Sequence, residues 1–438
     1  MFLTGTMKIN TQGHLEVGGI DTLELVKEFG TPLWVIDEEG LRSNCRVFKE
    51  AFTRWGDAVV AFASKSLCNM AVCAIVAQEG LALDVVSGGE LYTALQAGFP
   101  ADRIIFHGNN KSPEEIRMAL QAGVGRIVVD NFYELDLLNS IAEEYGTNAD
   151  ILLRITPGVE AHTHEYIQTG QIDSKFGFTL TDGQAMEGIK AAVSSPQINL
   201  AGLHCHIGSQ IFDMEPFRHT AALMMKFIAQ IKEETGQEIA DLDMGGGFGI
   251  YYAQEDSPVD PEEWAEAVMT TVQEKAREYG LRVPRVIVEP GRAISGPAGI
   301  TLYTIGSFKE VTGIRKYVAV DGGMTDNIRT ALYGARYSAL LANKADQEPV
   351  ETVSVAGKCC ESGDMLIWDT RLPKLESGDI LAVFATGAYN YAMSSNYNRL
   401  PRPAMVLVRQ GCAELILKRE TYPDLLRNDL LPDRLKSR

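Results

Sequence analysis

One lysine stands at the end of a short apolar run, Val59-Val60-Ala61-Phe62-Ala63-Ser64-Lys65. An amine at a strand end can condense with an aldehyde. A lone lysine is more often a solvated surface charge, so its meaning depends on what else reaches the same place. Three further stretches carry chemistry. GGGFG at 245–249 follows an apolar run, and successive glycines let backbone N–H groups approach an anion closely. It is not the spaced GxGxxG of dinucleotide sites, and no Walker lysine follows it. EPGR at 289–292 offers a glutamate for a protonated ring nitrogen and an arginine for a phosphate or carboxylate. HCHIGSQ at 204–210 puts two histidines at alternating strand positions, on one face. His206 then suits stacking on a flat ring and Gly208-Ser209 a phosphate, whereas His204 also reads as a satisfied core histidine.

These residues need elements that bring them together. Apolar strands are expected at 58–63, 81–86, 103–106, 126–129, 151–155, 200–206, 239–244 and 285–288, with helices between them, including 89–97, 113–122 (Ser112 as N-cap) and 215–234. Lys65, Asp84, His107-Gly108, Asp130, Arg154, His206 to Ser209, Gly245 to Gly247 and Glu289 to Arg292 stand at or just past the strand ends. Eight strands alternating with helices predict an α/β fold, a (β/α)8 TIM-like barrel whose active-site mouth is formed by those ends. A doubly wound open sheet is the alternative, with the ends along a crevice. After about residue 293 the helical rhythm gives way to β-rich runs punctuated by Gly, Asp and Pro. A mainly β domain, sandwich or barrel, is therefore expected at 294–438, taking in the N-terminal segment 1–35, with the barrel at 36–293. The charged tail from Lys418 reads as a surface helix or a frayed end.

Composition narrows the function classes. The chain has 438 residues, 45% hydrophobic and 22% charged, enough to bury a large core in a soluble protein. With 40 basic and 58 acidic residues its formal charge is −18, which argues against nucleic acid or an anionic membrane as partner. The N-terminus shows no signal peptide and no run is long enough to span a membrane. Seven scattered cysteines read as reduced thiols in a cytoplasm, without zinc-site spacing, and no metal is expected.

A strand-end lysine, an acid for a pyridinium nitrogen, and a glycine loop, serine and arginine for a phosphate are the parts that pyridoxal 5'-phosphate needs. The stretches HTHEYIQTGQIDSKFGF (162–178), HCHIGSQ, MGGGFG, VEPGRAI, VDGGMTDNIRTALYGARY (320–337), CCESGD (359–364) and ATGAYNYAMSSNYN then identify the resemblance. The chain resembles the alanine racemase-like, fold type III pyridoxal-phosphate decarboxylases, and among them those acting on diaminopimelate. The resemblance covers nearly the whole chain.

It implies that Lys65 carries the cofactor, His206 stacks on its ring and Glu289 pairs with its nitrogen. Asp84, Arg154, Ser209, Gly246, Gly247, Gly291, Arg292 and Tyr389 complete the cofactor-binding set. It implies that Arg292, Arg329, Tyr333, Glu361 and Tyr389 bind the substrate, with Glu361 on the distal ammonium. Cys360 is then the acid that protonates the α-carbon after carbon dioxide leaves. In this family Cys360 and Glu361 reach in from the other subunit, so a homodimer is implied. The implied activity is decarboxylation of meso-2,6-diaminopimelate at its D-centre to L-lysine, the last step of lysine biosynthesis. An arginine and an acid suit a distal zwitterion. Decarboxylases of ornithine, arginine or carboxynorspermidine are the alternative, and ornithine enzymes of this fold usually carry aspartate where Glu361 stands. A racemase on the same barrel and an inactive regulatory relative are further alternatives; the cysteine segment speaks against the first, and retention of both Lys65 and Cys360 against the second. The sequence departs from the family around the lysine, with Phe62 in place of tyrosine and Asn69 displaced. Cys359 reads as a small buried residue pointing away from Cys360.

Overall fold

The computed structural model describes residues 3–159 and 173–436. Contacts divide the chain into two units: Arg42–Tyr251 with Glu255–Gly296, and Met1–Leu41 with Tyr252–Gln254 and Pro297–Arg438. The strand Leu33–Asp37 belongs wholly to the second of these and runs through the expected boundary at 35/36.

The first unit is the (β/α)8 barrel. Its strands are β1 (Ala58–Ala63), β2 (Ala82–Val85), β3 (Ile104–Phe106), β4 (Arg126–Val129), β5 (Ala149–Thr156), β6 (Ile198–His204), β7 (Asp241–Asp243) and β8 (Arg285–Val288). Each pairs in parallel with its neighbour, and β8 closes on β1 through Val286 opposite Ala58. Closure rules out the open sheet. A short extra strand, Phe178–Thr179, pairs with the end of β5. The interior is filled by Ala61, Ala82, Ile105, Val128, Leu152, Ala201 and Ile287, with Val59 packed against them. Small and branched side chains from different strands meet there, as a packed barrel requires. The helix Pro113–Ala122 begins in a capping box between Ser112 and Glu115 and stops at left-handed Gly123.

β6 ends at His204, two residues earlier than the sequence reading. His206 therefore lies past the strand, and strand alternation does not set its direction. At the N-terminal strand ends a cavity of about 300 Å³ is lined by Ala58, Ala82, Ile104, Arg126 and Arg285, among others. Its two strand arginines both bond Asp241, Arg126 Nε at 2.9 Å and Arg285 Nε at 2.9 Å, and Arg126 Nη1 also bonds Asp150 at 3.0 Å, so two carboxylates balance the two charges.

The second unit is mainly β. Its large sheet runs Met365–Leu372, Glu351–Ala356, Arg315–Val320, Gly299–Val311, Leu33–Asp37, Ala404–Arg409, Cys412–Leu417, and Ile380–Val383 joins Ala339–Leu341 to Gly299–Val311. The pairs Leu33/Val35, Ile300/Leu302, Ile380/Ala382 and Val406/Val408 all enter one buried cluster. Their period of two is the signature of one sheet face turned to a core. Lys8–Ile9, Leu15–Val17 and Ile20–Asp21 form a separate three-stranded sheet, and Leu15 and Val17 join the same cluster. The helix Thr22–Phe29 follows this small sheet, with Asp21 as its N-cap accepting from Leu23 N–H. Among the described residues no helix is long and apolar enough to cross a membrane. The tail carries a five-residue exposed helix, Tyr422–Leu426.

Candidate active site

Lys65 sits in the single helical turn Ser64–Ser66 that directly follows β1, and it is half-buried. The turn is fastened on both sides. Ser64 Oγ donates to Glu90 Oε2 at 2.8 Å, and Ser66 Oγ lies 3.1 Å from Ser295 Oγ. Asn69, displaced from the family position, caps the next helix by accepting from Val72 N–H at 3.0 Å. Phe62 is fully buried.

An anion cradle is built from three strand ends. Arg292 Nη2 donates to Ser209 Oγ at 2.9 Å, joining the loop after β8 to the loop after β6. Between them lies the glycine loop after β7. A Cβ on Gly246 would meet Glu289 O at 2.2 Å, and Gly247, at φ +113°, would meet Gly208 O at 2.5 Å. Only glycine fits either place. The loop is anchored by Phe248, whose ring lies 5.3 Å from Phe48, 5.5 Å from Trp264 and 5.7 Å from Phe217. Phe217 belongs to the helix Glu215–Thr235 and Trp264 to Pro261–Tyr279, so helix packing holds the glycines in place. The last residue of the motif is also sterically required, since a Cβ on Gly249 would meet Phe212 at 2.6 Å.

Beside this cradle lies a buried titratable cluster. Glu289 Oε1 is 2.7 Å from His107 Nε2, and Glu289 Oε2 is 3.5 Å from His204 Nε2. Asp84 Oδ1 is 3.7 Å from the same His107 nitrogen, and the two imidazoles cross at 4.9 Å. The His107 approach is short yet misaligned for a hydrogen bond, so Glu289 Oε1 and both Asp84 oxygens are buried acceptors without a hydrogen-bond partner among the described residues. Burial by itself would raise the Glu289 carboxyl, but His107 and His204 outweigh it and hold Glu289 well below the usual range, ionised. Burial pushes His204 down to about 3, so its ring is neutral. Burial, with Glu289 close by, raises Asp84 to about 6 and Asp243 well above its ordinary value. His206 is also held neutral by burial, with Lys65 adding to the effect, and its Nδ1 accepts from Gly246 N–H at 3.2 Å. Arg154 is buried, 3.8 Å from Asp130 and stacked over Phe176 at 4.2 Å. The ligand atoms of His107, His204, Asp243 and Glu289 lie within 4.8 Å of one another, a spacing that a metal ion could also use.

The second unit holds a separate cluster. Arg329 opens the short helix Arg329–Tyr333, which places it and Tyr333 on one face at i and i+4. Its guanidinium is buried. Its Nη1 donates to Tyr337 OH at 2.7 Å, and its carbon lies 5.0 Å from the Tyr252 ring centre and 5.8 Å from Tyr389. Tyr389 is held at φ +63°, a left-handed conformation rare for an aromatic residue. Among the described residues no carboxylate pairs with Arg329. In the CCESGD turn, Asp364 accepts from Cys359 N–H at 2.7 Å and from Met324 N–H at 2.6 Å, tying the turn to the DGG loop. Burial and Asp364 push the Cys359 thiol up to about 12. Cys360 and Glu361 are exposed, and Glu361 accepts from Gly363 N–H at 3.2 Å.

The strand ends thus bring Lys65, Asp84, Arg154, His206, Ser209, Gly246, Gly247, Glu289, Gly291 and Arg292 to one end of the barrel. Tyr389, Arg329 and Tyr333 belong to the second unit, as do Cys360 and Glu361; among the described residues neither of the last two forms a hydrogen bond or ion pair with Arg329. His204 is not a satisfied core histidine: neither ring nitrogen has a hydrogen-bond partner among the described residues, and Nε2 faces Glu289. Sequence reasoning gave no role to His107, Glu90, Asp243, Tyr252 or Tyr337. His107 was visible as a strand end, but nothing in the sequence paired it with Glu289. Of the motif at 162–178, residues 162–172 lie outside the described residues.

Residues 38–296 match the pyridoxal-dependent decarboxylase family through its pyridoxal binding domain. A diaminopimelate decarboxylase from Bacillus subtilis is 55% identical over 431 residues, 98% of either chain. The chain belongs to the diaminopimelate decarboxylase family. Another member, from Bacillus methanolicus, is 53% identical over 421 residues, 96% of this chain and 98% of its own. A crystal structure of diaminopimelate decarboxylase from M. jannaschii in complex with L-lysine matches at TM-score 0.93 and 39% identity over 100% of both chains.

The chain is a decarboxylase that uses pyridoxal 5'-phosphate. Its own residues fit that group. Glu289 Oε1 and the Asp84 oxygens, buried and short of a donor, suit a protonated ring nitrogen. The glycine loop, closed to any Cβ, with Ser209 and Arg292, suits a phosphate.

Proposed function

We propose that this enzyme decarboxylates meso-2,6-diaminopimelate at its D-configured centre, giving L-lysine and carbon dioxide as the last step of lysine biosynthesis. The observation that carries the substrate is Arg329, a buried guanidinium with no carboxylate partner among the described residues. Leaving such a charge unpaired costs several kcal/mol, and a ligand carboxylate relieves it. Ornithine has no distal carboxylate to offer, so the alternative decarboxylases are disfavoured.

Pyridoxal phosphate, when bound, supplies the electron sink that accepts the pair left as the bond to the departing carboxylate breaks. Lys65 holds the group covalently, and its fastened turn limits where the amine can reach. Asp84 and Glu289 hold the ring nitrogen, and Glu289 stays ionised to do so. His206, neutral, would pack against the cofactor ring. Ser209, Gly246, Gly247, Gly291 and Arg292 hold the phosphate, with Arg154 and Tyr389 completing the cofactor's surroundings; Arg292 also meets a substrate carboxylate. Arg329 and Tyr333, with Tyr389, hold the distal carboxylate, and Glu361 holds the distal ammonium. Cys360 gives its proton to the α-carbon as carbon dioxide leaves, so one proton is taken up per turnover.

The enzyme acts as a homodimer in which Cys360 and Glu361 serve the partner subunit's site. Their exposure in the single chain supports this reading. The working compartment is the cytoplasm. The test is conversion of meso-diaminopimelate by the purified holoenzyme with chiral analysis of the product. L-lysine and carbon dioxide in equal amounts are expected. No lysine, or faster turnover of ornithine, would refute the substrate.

A further inference from the structure

Arg329 needs its planar edge aimed, because only an aligned fork gives a carboxylate two parallel bonds. The second unit contains the parts that aim it. The helix Arg329–Tyr333 ends at Gly334, left-handed at φ +61°, and the chain turns back so that Tyr337 meets the first residue of the helix. Thr330 Oγ1 bonds Leu366 O at 2.9 Å and fixes the helix to the strand Met365–Leu372. Tyr337 OH takes Arg329 Nη1, leaving the other guanidinium N–H groups for a ligand. Tyr337 stands edge-on to Tyr252, with ring centres 5.2 Å apart. Tyr252 belongs to Tyr252–Gln254, three residues that join this unit although the chain on both sides of them builds the barrel. Its backbone is fastened too, since Ser338 Oγ donates to Tyr252 O at 2.8 Å. Tyr337 and Tyr252 are buried, at 4% and 8% exposure, so the cage leaves the cation little freedom to swing.

The guanidinium is a strong base and stays protonated in this buried place, with the Tyr252 and Tyr337 rings beside it. Cation–π contact stabilises a desolvated guanidinium without neutralising it. A carboxylate at this place would do the opposite, since it would occupy the fork that a substrate needs.

We infer that Tyr337, supported by Tyr252, is a positioning residue that sets selectivity for a substrate with a distal carboxylate by fixing the orientation of Arg329. The inference rests on the proposed role of Arg329. It requires that loss of the Tyr337 hydroxyl weaken recognition of the distal end and leave the reacting end alone. D-lysine is the matched probe, because it shares the reacting end of meso-diaminopimelate and lacks the distal carboxylate.

The experiment compares the wild-type holoenzyme with Tyr337→Phe and Tyr252→Leu. KM and kcat are measured for meso-diaminopimelate, the inhibition constant for D-lysine, and the melting temperature for each protein. Tyr337→Phe is expected to raise KM about tenfold, the effect of one hydrogen bond to a charged group. Its kcat should stay within about twofold, with D-lysine inhibition unchanged. Tyr252→Leu should show the same pattern at about threefold. An unchanged KM, or equal weakening toward both ligands, overturns the inference. A wild type that does not distinguish the two ligands overturns the reading of Arg329 as well.

Discussion

Glu289 in the barrel and Arg329 in the β unit are buried charges of opposite sign, and neither has a full counter-ion. Glu289 is flanked by the imidazoles of His107 and His204, and Arg329 by the phenol rings of Tyr252, Tyr337 and Tyr389. The rings differ in what they can become. Burial pushes His204 down to about 3, so near neutral pH that ring faces Glu289 without a charge. A tyrosine cage leaves its guanidinium charged throughout the same range. The barrel thus presents a buried carboxylate held ionised, suited to a cofactor nitrogen, and the β unit presents a buried cation, suited to a substrate that must be told from its neighbours.

Lys65 gives the largest effect that bears on this contrast. Lys65→Ala should abolish the absorption band of the bound cofactor and lower turnover by about 10⁴-fold or more, with the Arg329 side untouched. Mixing it with Cys360→Ala, also inactive alone, should restore activity in hybrid dimers that contain one intact site. No recovery would break the assignment of Cys360 to the partner subunit's site.

A smaller effect tests the titratable side. His204 is neutral in the fold down to about pH 3, against an ordinary value of 6.5. Between pH 6.5 and 3 the unfolded chain therefore holds a proton that the folded chain does not, and stability falls as the pH falls. The loss is about 1.4 kcal/mol per pH unit within that window. Asp84, raised to about 6, acts in the opposite sense, since its contribution is lost as pH rises through 6. Comparison with His204→Asn isolates the histidine: the wild type's stability relative to the variant should decline by about 2 kcal/mol from pH 6.5 to 5 in chemical unfolding. A parallel pair of curves would show that His204 is charged in the fold, and the contrast with Arg329 would weaken.

What the sequence made legible follows from how local each cause is. The eight strands were readable because each is an apolar run with its own end signal, and their closure followed from the βα rhythm. Lys65, the GGGFG loop and EPGR could be grouped because a barrel gathers strand ends. The limit of β6 was misplaced because His204-Cys205-His206 has the alternation of a strand, although pairing with β7 stops at His204 opposite Asp243. His107 against Glu289, and Tyr252 against Tyr337, are contacts between residues 182 and 85 positions apart in number. No local pattern encodes them. They arise only when β3 and β8 face one barrel mouth, or when Gly334 reverses the chain and Tyr252–Gln254 leaves the barrel's contacts for the β unit.

The division of labour between the two charges is tested most directly by one ratio, the preference for meso-diaminopimelate over D-lysine. It is read in the wild type, in Glu289→Gln and in Arg329→Met, each saturated with pyridoxal phosphate. Glu289→Gln should lower kcat for meso-diaminopimelate by about 100-fold and leave the binding ratio as it was. Arg329→Met should lower the ratio by about 100-fold through meso-diaminopimelate alone. If Arg329→Met weakens both ligands equally, or Glu289→Gln changes the ratio, the two buried charges do not serve separate ends of the reaction and the account is contradicted.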